Sequence, residues 1–201
     1  MNIIAGTARG ITLEAPSGLA VRPTAARARK ALFDSLAPWE GLVVVDLFAG
    51  SGALGLEAAS RGAAAVHLVE SDRSHCAILE RNRARVAKSG AAAEIQIVQG
   101  DAFSVASRLR GLAGAVDLVF ADPPYDEAAA ACATLLSDPG FAAWAAGARL
   151  VFELPPDRAR KPLFSGNDLW NRARERKLGG TSFAFHTPRA TAEPNQAGNG
   201  L

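Results

Sequence analysis

The stretch Leu42–Gly62, LVVVDLFAGSGALGLEAASRG, decides the fold. Three β-branched residues in succession (Val43, Val44, Val45) fit a strand buried on both faces. The run stops at Asp46, passes through the turn Gly50-Ser51-Gly52, and resumes as helix-forming sequence from Ala53 to Ser60. Gly50 and Gly52 permit positive φ and a close approach of backbone to ligand. The helix that follows aims its unpaired N–H groups at the same place. Such a unit makes a ligand cradle at the carboxyl end of the first parallel strand of an open α/β sheet.

Outward from this stretch, strand and helix alternate. The apolar run Ala65–Val69 precedes a helix from about Arg73 to Lys88, and Glu94–Val98 leads through Gly100-Asp101-Ala102 to a helix ending near Leu109. Val116–Phe120 is a further buried strand that ends in Asp122-Pro123-Pro124-Tyr125. A helix from about Glu127 to Leu136, the strand Ala148–Glu153 and a basic loop with Arg158, Arg160 and Lys161 come next. This alternation predicts a mostly parallel sheet with helices on both faces and right-handed crossovers. Leu169–Leu178, the pair Gly179-Gly180 and Ser182–His186 instead predict an antiparallel hairpin at the end. Upstream, Asn2–Glu14 reads as a β-hairpin around Gly6–Gly10, and Thr24 can cap a helix reaching Leu36 with Ala28, Leu32, Phe33 and Leu36 on one face. The organisation expected is a hairpin-and-helix extension over residues 1–40, an α/β domain over 41–187, and a disordered tail over 188–201, with TAEPNQAGNG at 191–200, without apolar periodicity.

The 201 residues are 49% hydrophobic and 21% charged, which suits one domain with a sizeable core. A net charge of +2 says little about the whole-molecule field, but arginine far outnumbers lysine and is the better planar partner for phosphate. Cys76 and Cys132 are isolated thiols, so a reduced, cytoplasmic protein is expected rather than a disulfide scaffold. Neither a signal peptide nor an apolar run of transmembrane length is visible. No His, Cys and carboxylate set has metal-ligand spacing, and no metal is expected. His67, His75 and His186 are scattered and read as structural, and Arg81, Arg85 and Lys88 as a solvated helix face.

Gly50-x-Gly52-x-x-Gly55 matches a dinucleotide fingerprint, which alone is a weak signal. Asp46 argues against a pyrophosphate, which it would repel, and for a cationic ligand such as S-adenosylmethionine. Glu70, ending the second strand, is placed to accept from ribose hydroxyls in either case. Arg22, Arg27, Arg29 and Lys30 gather around the start of the first helix, where cations oppose the helix dipole. They serve either a partner or a solvated face.

Asp46-Leu-Phe48-Ala-Gly50-Ser51-Gly52 resembles the first motif of class I S-adenosylmethionine-dependent methyltransferases, and Asp122-Pro123-Pro124-Tyr125 resembles the motif of those that methylate exocyclic amines. With Asn2–Gly6, Arg9-Gly10, Leu13, Arg22-Pro23-Thr24, Arg27, Leu32-Phe33, Arg174-Glu175 and Gly179, the chain from about Asn2 to Phe185 is similar to the RsmD-type 16S rRNA guanine-N2 methyltransferases. The resemblance implies a Rossmann-like class I methyltransferase sheet with an antiparallel C-terminal hairpin. It implies S-adenosylmethionine held by Asp46, Phe48, Gly50, Ser51, Gly52, Glu70, Asp101, Ala102 and Asp122. Asp101 in that role accepts the adenine amino group, although Gly-Asp-Ala serves equally as a helix N-cap.

The catalytic set implied is Asp122, Pro123, Pro124 and Tyr125. An exocyclic amine is a poor nucleophile because its lone pair is delocalised into the ring. Asp122 and a backbone carbonyl of the turn accept its two N–H bonds and draw the nitrogen toward tetrahedral geometry, while Tyr125 stacks on the extruded base. Arg9, Arg22, Arg27, Arg29 and Lys30 form the expected RNA-binding set, and the expected partner is ribosomal RNA within the small subunit or an assembly intermediate, met by a monomer. Two places depart from the family: Ala25-Ala26 stand where Thr-Asp is usual and Lys30 where an acid is common, which makes the segment more basic. Two other readings compete. A DNA adenine-N6 methyltransferase shares the Asp-Pro-Pro-Tyr logic but needs a target-recognition insertion, and none of useful length is visible. A non-catalytic RNA-binding assembly factor is opposed by the intact Asp46, Glu70, Asp101 and Asp122.

Overall fold

Strands β1 (Val43–Leu47), β2 (Ala65–Glu70), β3 (Glu94–Gln99), β4 (Leu118–Ala121), β5 (Arg149–Leu154), β6 (Arg174–Leu178) and β7 (Thr181–His186) form one sheet in the order β3-β2-β1-β4-β5-β7-β6. The structure is a computed structural model describing residues 1–16, 23–124, 126–154, 167–171 and 174–189, the side chains of residues 23–25 excepted. β1 to β5 are mutually parallel, whereas β7 runs antiparallel to both β5 and β6. The strand order reverses between β1 and β4, and this opens a crevice at their carboxyl ends where sheets of this kind bind ligands.

Two apolar layers sandwich the sheet. On one face Val45, Leu47, Val119, Ala121, Leu150 and Phe152 pack under α4 (Val105–Arg108), α5 (Ala128–Ser137) and α6 (Pro139–Trp144). On the other, Val44, Leu118, Phe120, Val151 and Phe183 pack under α1 (Pro23–Leu36), α2 (Ala53–Arg61) and α3 (Arg73–Ala87). Alternate residues of each strand therefore reach opposite layers, as the pleat requires. Phe33 of α1 stacks on Trp39 with ring centroids 4.6 Å apart and lies 5.4 Å from Phe120, which fixes α1 to the sheet. Among the described residues no helix is long and apolar enough to cross a membrane.

The N-terminal segment shares this second layer through Ile3, Ala8 and Leu13. Its two arms pair antiparallel as a short hairpin, with Asn2 bridged to Thr12, Ile3 N donating to the Ile11 carbonyl (3.0 Å) and Leu13 N to the Met1 carbonyl (2.6 Å), while the loop between them is drawn to α2. Glu57 accepts from the N–H of Ile4 (2.7 Å) and Ala5 (3.1 Å), and Ser60 offers its carbonyl to Thr7 N (2.8 Å) and its hydroxyl oxygen to Ala8 N (2.9 Å). Gly6, at φ 83°, has no room for a side chain: a Cβ there would lie 1.7 Å from the Ser60 carbonyl oxygen.

Boundaries elsewhere moved for local reasons. The single helix expected after Asp101 is a 3-10 turn (Ala102–Ser104), the short α4 and a second 3-10 turn (Arg110–Leu112). α6 was not foreseen; Asp138 caps it by accepting from Gly140 N (2.7 Å), with Pro139 in its first turn. The strand expected over 169–178 divides into Trp170, bridged to Pro188, and β6. Arg189 N also donates to the Leu169 carbonyl (2.8 Å), so backbone contacts continue two residues past the expected domain end at 187. The remaining expected tail and the basic loop at 158–161 lie outside the described residues.

Candidate active site

Acids collect at the carboxyl ends of the strands. Asp46 is the penultimate residue of β1, Glu70 ends β2, Asp122 follows β4 directly, and Glu153 is the penultimate residue of β5. The register pairs Ala121 with Phe152, so Asp122 continues beside Glu153. By the pleat, Asp46, Asp122 and Glu153 fall on the face of Val44, Phe120 and Val151, beneath the N-terminal segment and α1.

The glycine turn is held from two sides. Glu70 accepts from Gly50 N and Asp72 N, each at 2.8 Å, and Ala49 N reaches the Val69 carbonyl at 3.0 Å. Phe48 (φ 59°), Gly50 (φ 56°) and Gly52 (φ 78°) all lie in the left-handed region. Strain at the non-glycine Phe48 marks a backbone shaped for close approach rather than for local comfort. A Cβ on Gly50 would meet nothing nearer than 3.9 Å, leaving open space over the turn, whereas one on Gly55 would strike Leu68 at 2.3 Å. Gly50 thus faces the crevice, and Gly55 lets α2 close on β2.

Asn82 of α3, fully buried, completes the support. Its amide donates to the carbonyls of Ser51 and Glu14, both at 2.9 Å, and its oxygen accepts from Glu14 N at 2.8 Å. Arg81 and Arg85 add ion pairs to the Glu14 carboxylate, so these two cations are not a merely solvated face.

Burial pushes the Asp46 carboxyl up to about 7, the Gly55 N–H that it accepts at 2.8 Å pulls the other way, and Glu70 adds to the rise. Asp122 keeps surface open to the crevice, yet the protein packed around it weakens its hydration. That loss, reinforced by the charges of Glu153 and Asp46, raises its carboxyl well above the ordinary range. Pro123 is buried and Pro124 exposed, and Glu127 N closes the turn on the Pro124 carbonyl at 2.9 Å. Tyr125 lies outside the described residues.

Asp101 takes the capping role, accepting from Phe103 N at 3.0 Å, while remaining exposed toward the crevice rim. Ala102 is buried, and Phe103, 39% exposed, sets its ring edge-on to Phe48 at 5.9 Å. Among the described residues no arginine or lysine pairs with Asp46, Glu70, Asp101 or Asp122. The acceptors that the described residues bring to this crevice fit a ligand carrying an ammonium, ribose hydroxyls and an aromatic amine.

The expected RNA-binding residues divide. Arg9 and Arg27 are exposed; Lys30 is exposed and pairs with Asp34 at 2.5 Å. Arg29 is withdrawn from that set: it is 7% exposed, and its guanidinium donates inward to the Asn2 carbonyl. Arg22 lies outside the described residues. Sequence reading overlooked Glu153, Glu57, Ser60 and Asn82. Glu153 carried a usable signal, an acid closing an apolar strand just as Asp46, Glu70 and Asp122 do; the other three act on partners more than thirty residues away.

A family described as "Conserved hypothetical protein 95" matches residues 1–187. The chain is 35% identical over 199 residues to ribosomal RNA small subunit methyltransferase D of Escherichia coli, covering 96% of this chain and 92% of that protein. A solved structure of a hypothetical protein from Thermus thermophilus is 30% identical and superposes with a TM-score of 0.69 over 92% of this chain and 98% of that one. The rRNA methyltransferase AviRa of Streptomyces viridochromogenes, 22% identical, shares the fold with a TM-score of 0.59 over 88% of each chain. The sheet described above is accordingly a class I methyltransferase sheet.

Proposed function

The chain belongs to the family of ribosomal RNA small subunit methyltransferase D, and on that premise we propose that it methylates the exocyclic N2 amine of a guanine in small-subunit (16S) ribosomal RNA, with S-adenosylmethionine as donor. Ribosomal RNA methylation is the activity for which its relative is named. The observation that carries the amine-directed reading is the rigid Asp122-Pro123-Pro124 turn, placed beside Asp46 and Glu153 at the crevice where the strand order reverses.

The donor fits the acceptor-lined crevice: Asp46 would face its ammonium, Glu70 its ribose hydroxyls and Asp101 its adenine amine, with the open space over Gly50 leaving room for the chain between them. When bound, it supplies an electrophilic methyl group on a sulfonium centre. The chain's own residues do the rest. Asp122 accepts one N–H of the amine and a turn carbonyl accepts the other, which localises the lone pair on nitrogen. Pro123 and Pro124 hold both acceptors fixed, so that no reorganisation is needed as charge develops. The proton that nitrogen loses after methylation passes to the Asp122 carboxylate, whose affinity for it is raised by weakened hydration and by Glu153 and Asp46. Tyr125 is assigned to stack on the base.

The test is transfer of labelled methyl from S-adenosylmethionine to unmodified small-subunit rRNA, followed by nucleoside analysis. Label in N2-methylguanosine is expected. Label in methyladenosine, or none in RNA, overturns the reading.

A further inference from the structure

The segment Arg174-Glu175-Arg176-Lys177, of which Arg174-Glu175 belongs to the family resemblance, is given no work by the mechanism above, yet it lies in the exposed edge strand β6. The register places Arg174 opposite Phe185 and Arg176 opposite Phe183. Phe183 lies in the apolar layer under α1, so both arginines emerge on that face, while Glu175 and Lys177 emerge on the other. Glu153 is paired with Phe183 in turn, so one row crosses the sheet from Asp122 through Glu153 and Phe183 to Arg176. At a strand spacing near 4.8 Å, Arg176 stands roughly 14 Å from Asp122 along that row.

The hairpin turn seats this edge on α1. Gly179 lies so close that a Cβ there would come within 2.5 Å of the Ala28 backbone, which brings the turn against exposed Arg27. Among the described residues Arg27, Arg174 and Arg176 make no ion pair. Other arginines are neutralised, Arg81 by Glu14 (2.7 Å), Arg83 by Glu80 (2.8 Å) and Arg61 by Glu57 (2.8 Å), so what sets Arg27, Arg174 and Arg176 apart is that three without an ion pair lie together on one face. With a net charge of only +2 for the chain, this is a local concentration of unneutralised guanidinium groups beside the crevice.

We propose that Arg174 and Arg176 of β6, with Arg27 of α1, form a wall that holds the phosphates of the RNA strand delivering its base to Asp122. The proposal rests on the rRNA-methylation reading. Arginine suits the role because its planar fork binds phosphate oxygens in pairs. The alternative is that charges on an edge strand merely prevent pairing with other chains. Edge protection depends on charge along the strand and is indifferent to face; a phosphate wall needs the charges on the α1 face.

That difference sets the experiment. Binding of the full chain to unmodified small-subunit rRNA is measured across a salt series for wild type, for the double variant Arg174→Gln/Arg176→Gln, and for Lys177→Gln, with S-adenosylhomocysteine affinity and the thermal midpoint as checks on folding. The double variant should bind RNA at least tenfold more weakly, with the log–log salt slope reduced by about 0.7–0.9 for each phosphate that is no longer held. Its KM for RNA should rise more than its kcat falls. Lys177→Gln, which removes one charge on the opposite face, should stay near wild type. An unchanged slope in the double variant, or an equal loss per charge removed in Lys177→Gln, overturns the wall while wild-type methylation of the RNA stands. If the wild type neither binds nor methylates this RNA, the rRNA reading fails and the wall fails with it.

Discussion

Lowering the pH from about 8 to about 6 should weaken S-adenosylhomocysteine binding by about tenfold through one residue, Asp46. Its carboxyl is buried and pushed up to about 7. A group with that pKa is roughly nine-tenths ionised at pH 8 and one-tenth at pH 6, and only the ionised form attracts the ligand's ammonium. The tenfold loss corresponds to about 1.4 kcal/mol. Binding at pH 6 must then expel a proton, which titration calorimetry in two buffers of different ionisation enthalpy measures directly. Asp46→Asn should bind more weakly at pH 8 but lose both the pH dependence and the proton release, whereas Asp122→Asn should keep them. The same shift has a consequence for the ligand-free protein. The folded state holds this proton more tightly than the unfolded chain, so the Asp46 contribution to stability is retained below the ordinary carboxylate value of 3.8 and is lost as pH rises toward about 7. Equal affinity at pH 6 and pH 8, or net proton uptake on binding, would refute the assignment of Asp46 to the ammonium.

Asp122→Ala should remain folded and bind S-adenosylhomocysteine and RNA, while its single-turnover methylation rate falls by roughly a hundredfold or more; Asp122→Asn, which keeps one acceptor, should fall less. Glu57→Ala strips a fully buried carboxylate from Ile4 N, Ala5 N and Arg61 and should cost roughly 3–5 kcal/mol in urea unfolding, whereas Glu57→Gln retains an acceptor and should cost less.

The parallel sheet and the cradle were legible because their signals are local: β-branched runs, a glycine turn, and acids closing successive strands. α6 was hidden because Asp138-Pro139-Gly140 has the composition of a turn, yet an Asp cap and a Pro in the first turn also start a helix. Arg29 is assigned to the RNA-binding set from its charge and position in sequence alone. Its spacing of four and seven from Phe33 and Leu36 already puts it on the apolar face, where its guanidinium turns to the Asn2 carbonyl. Glu57 and Asn82 could not be read at all, since their partners lie 52 or 53 and 31 or 68 residues away in the chain. Long-range polar contacts of this kind leave no periodic trace.

The Asn82 carboxamide is a mechanical joint. Its nitrogen grips the glycine turn at the Ser51 carbonyl and the N-terminal segment at the Glu14 carbonyl, while its oxygen takes the Glu14 N–H. Displacing either grip strains the other, because a buried amide that lets go has no water to turn to. If occupancy of one side tightens the other by some factor, thermodynamic reciprocity requires the same factor in return. Under the proposed function, a donor seated on the glycine turn and the placement of the N-terminal segment are then linked through one asparagine.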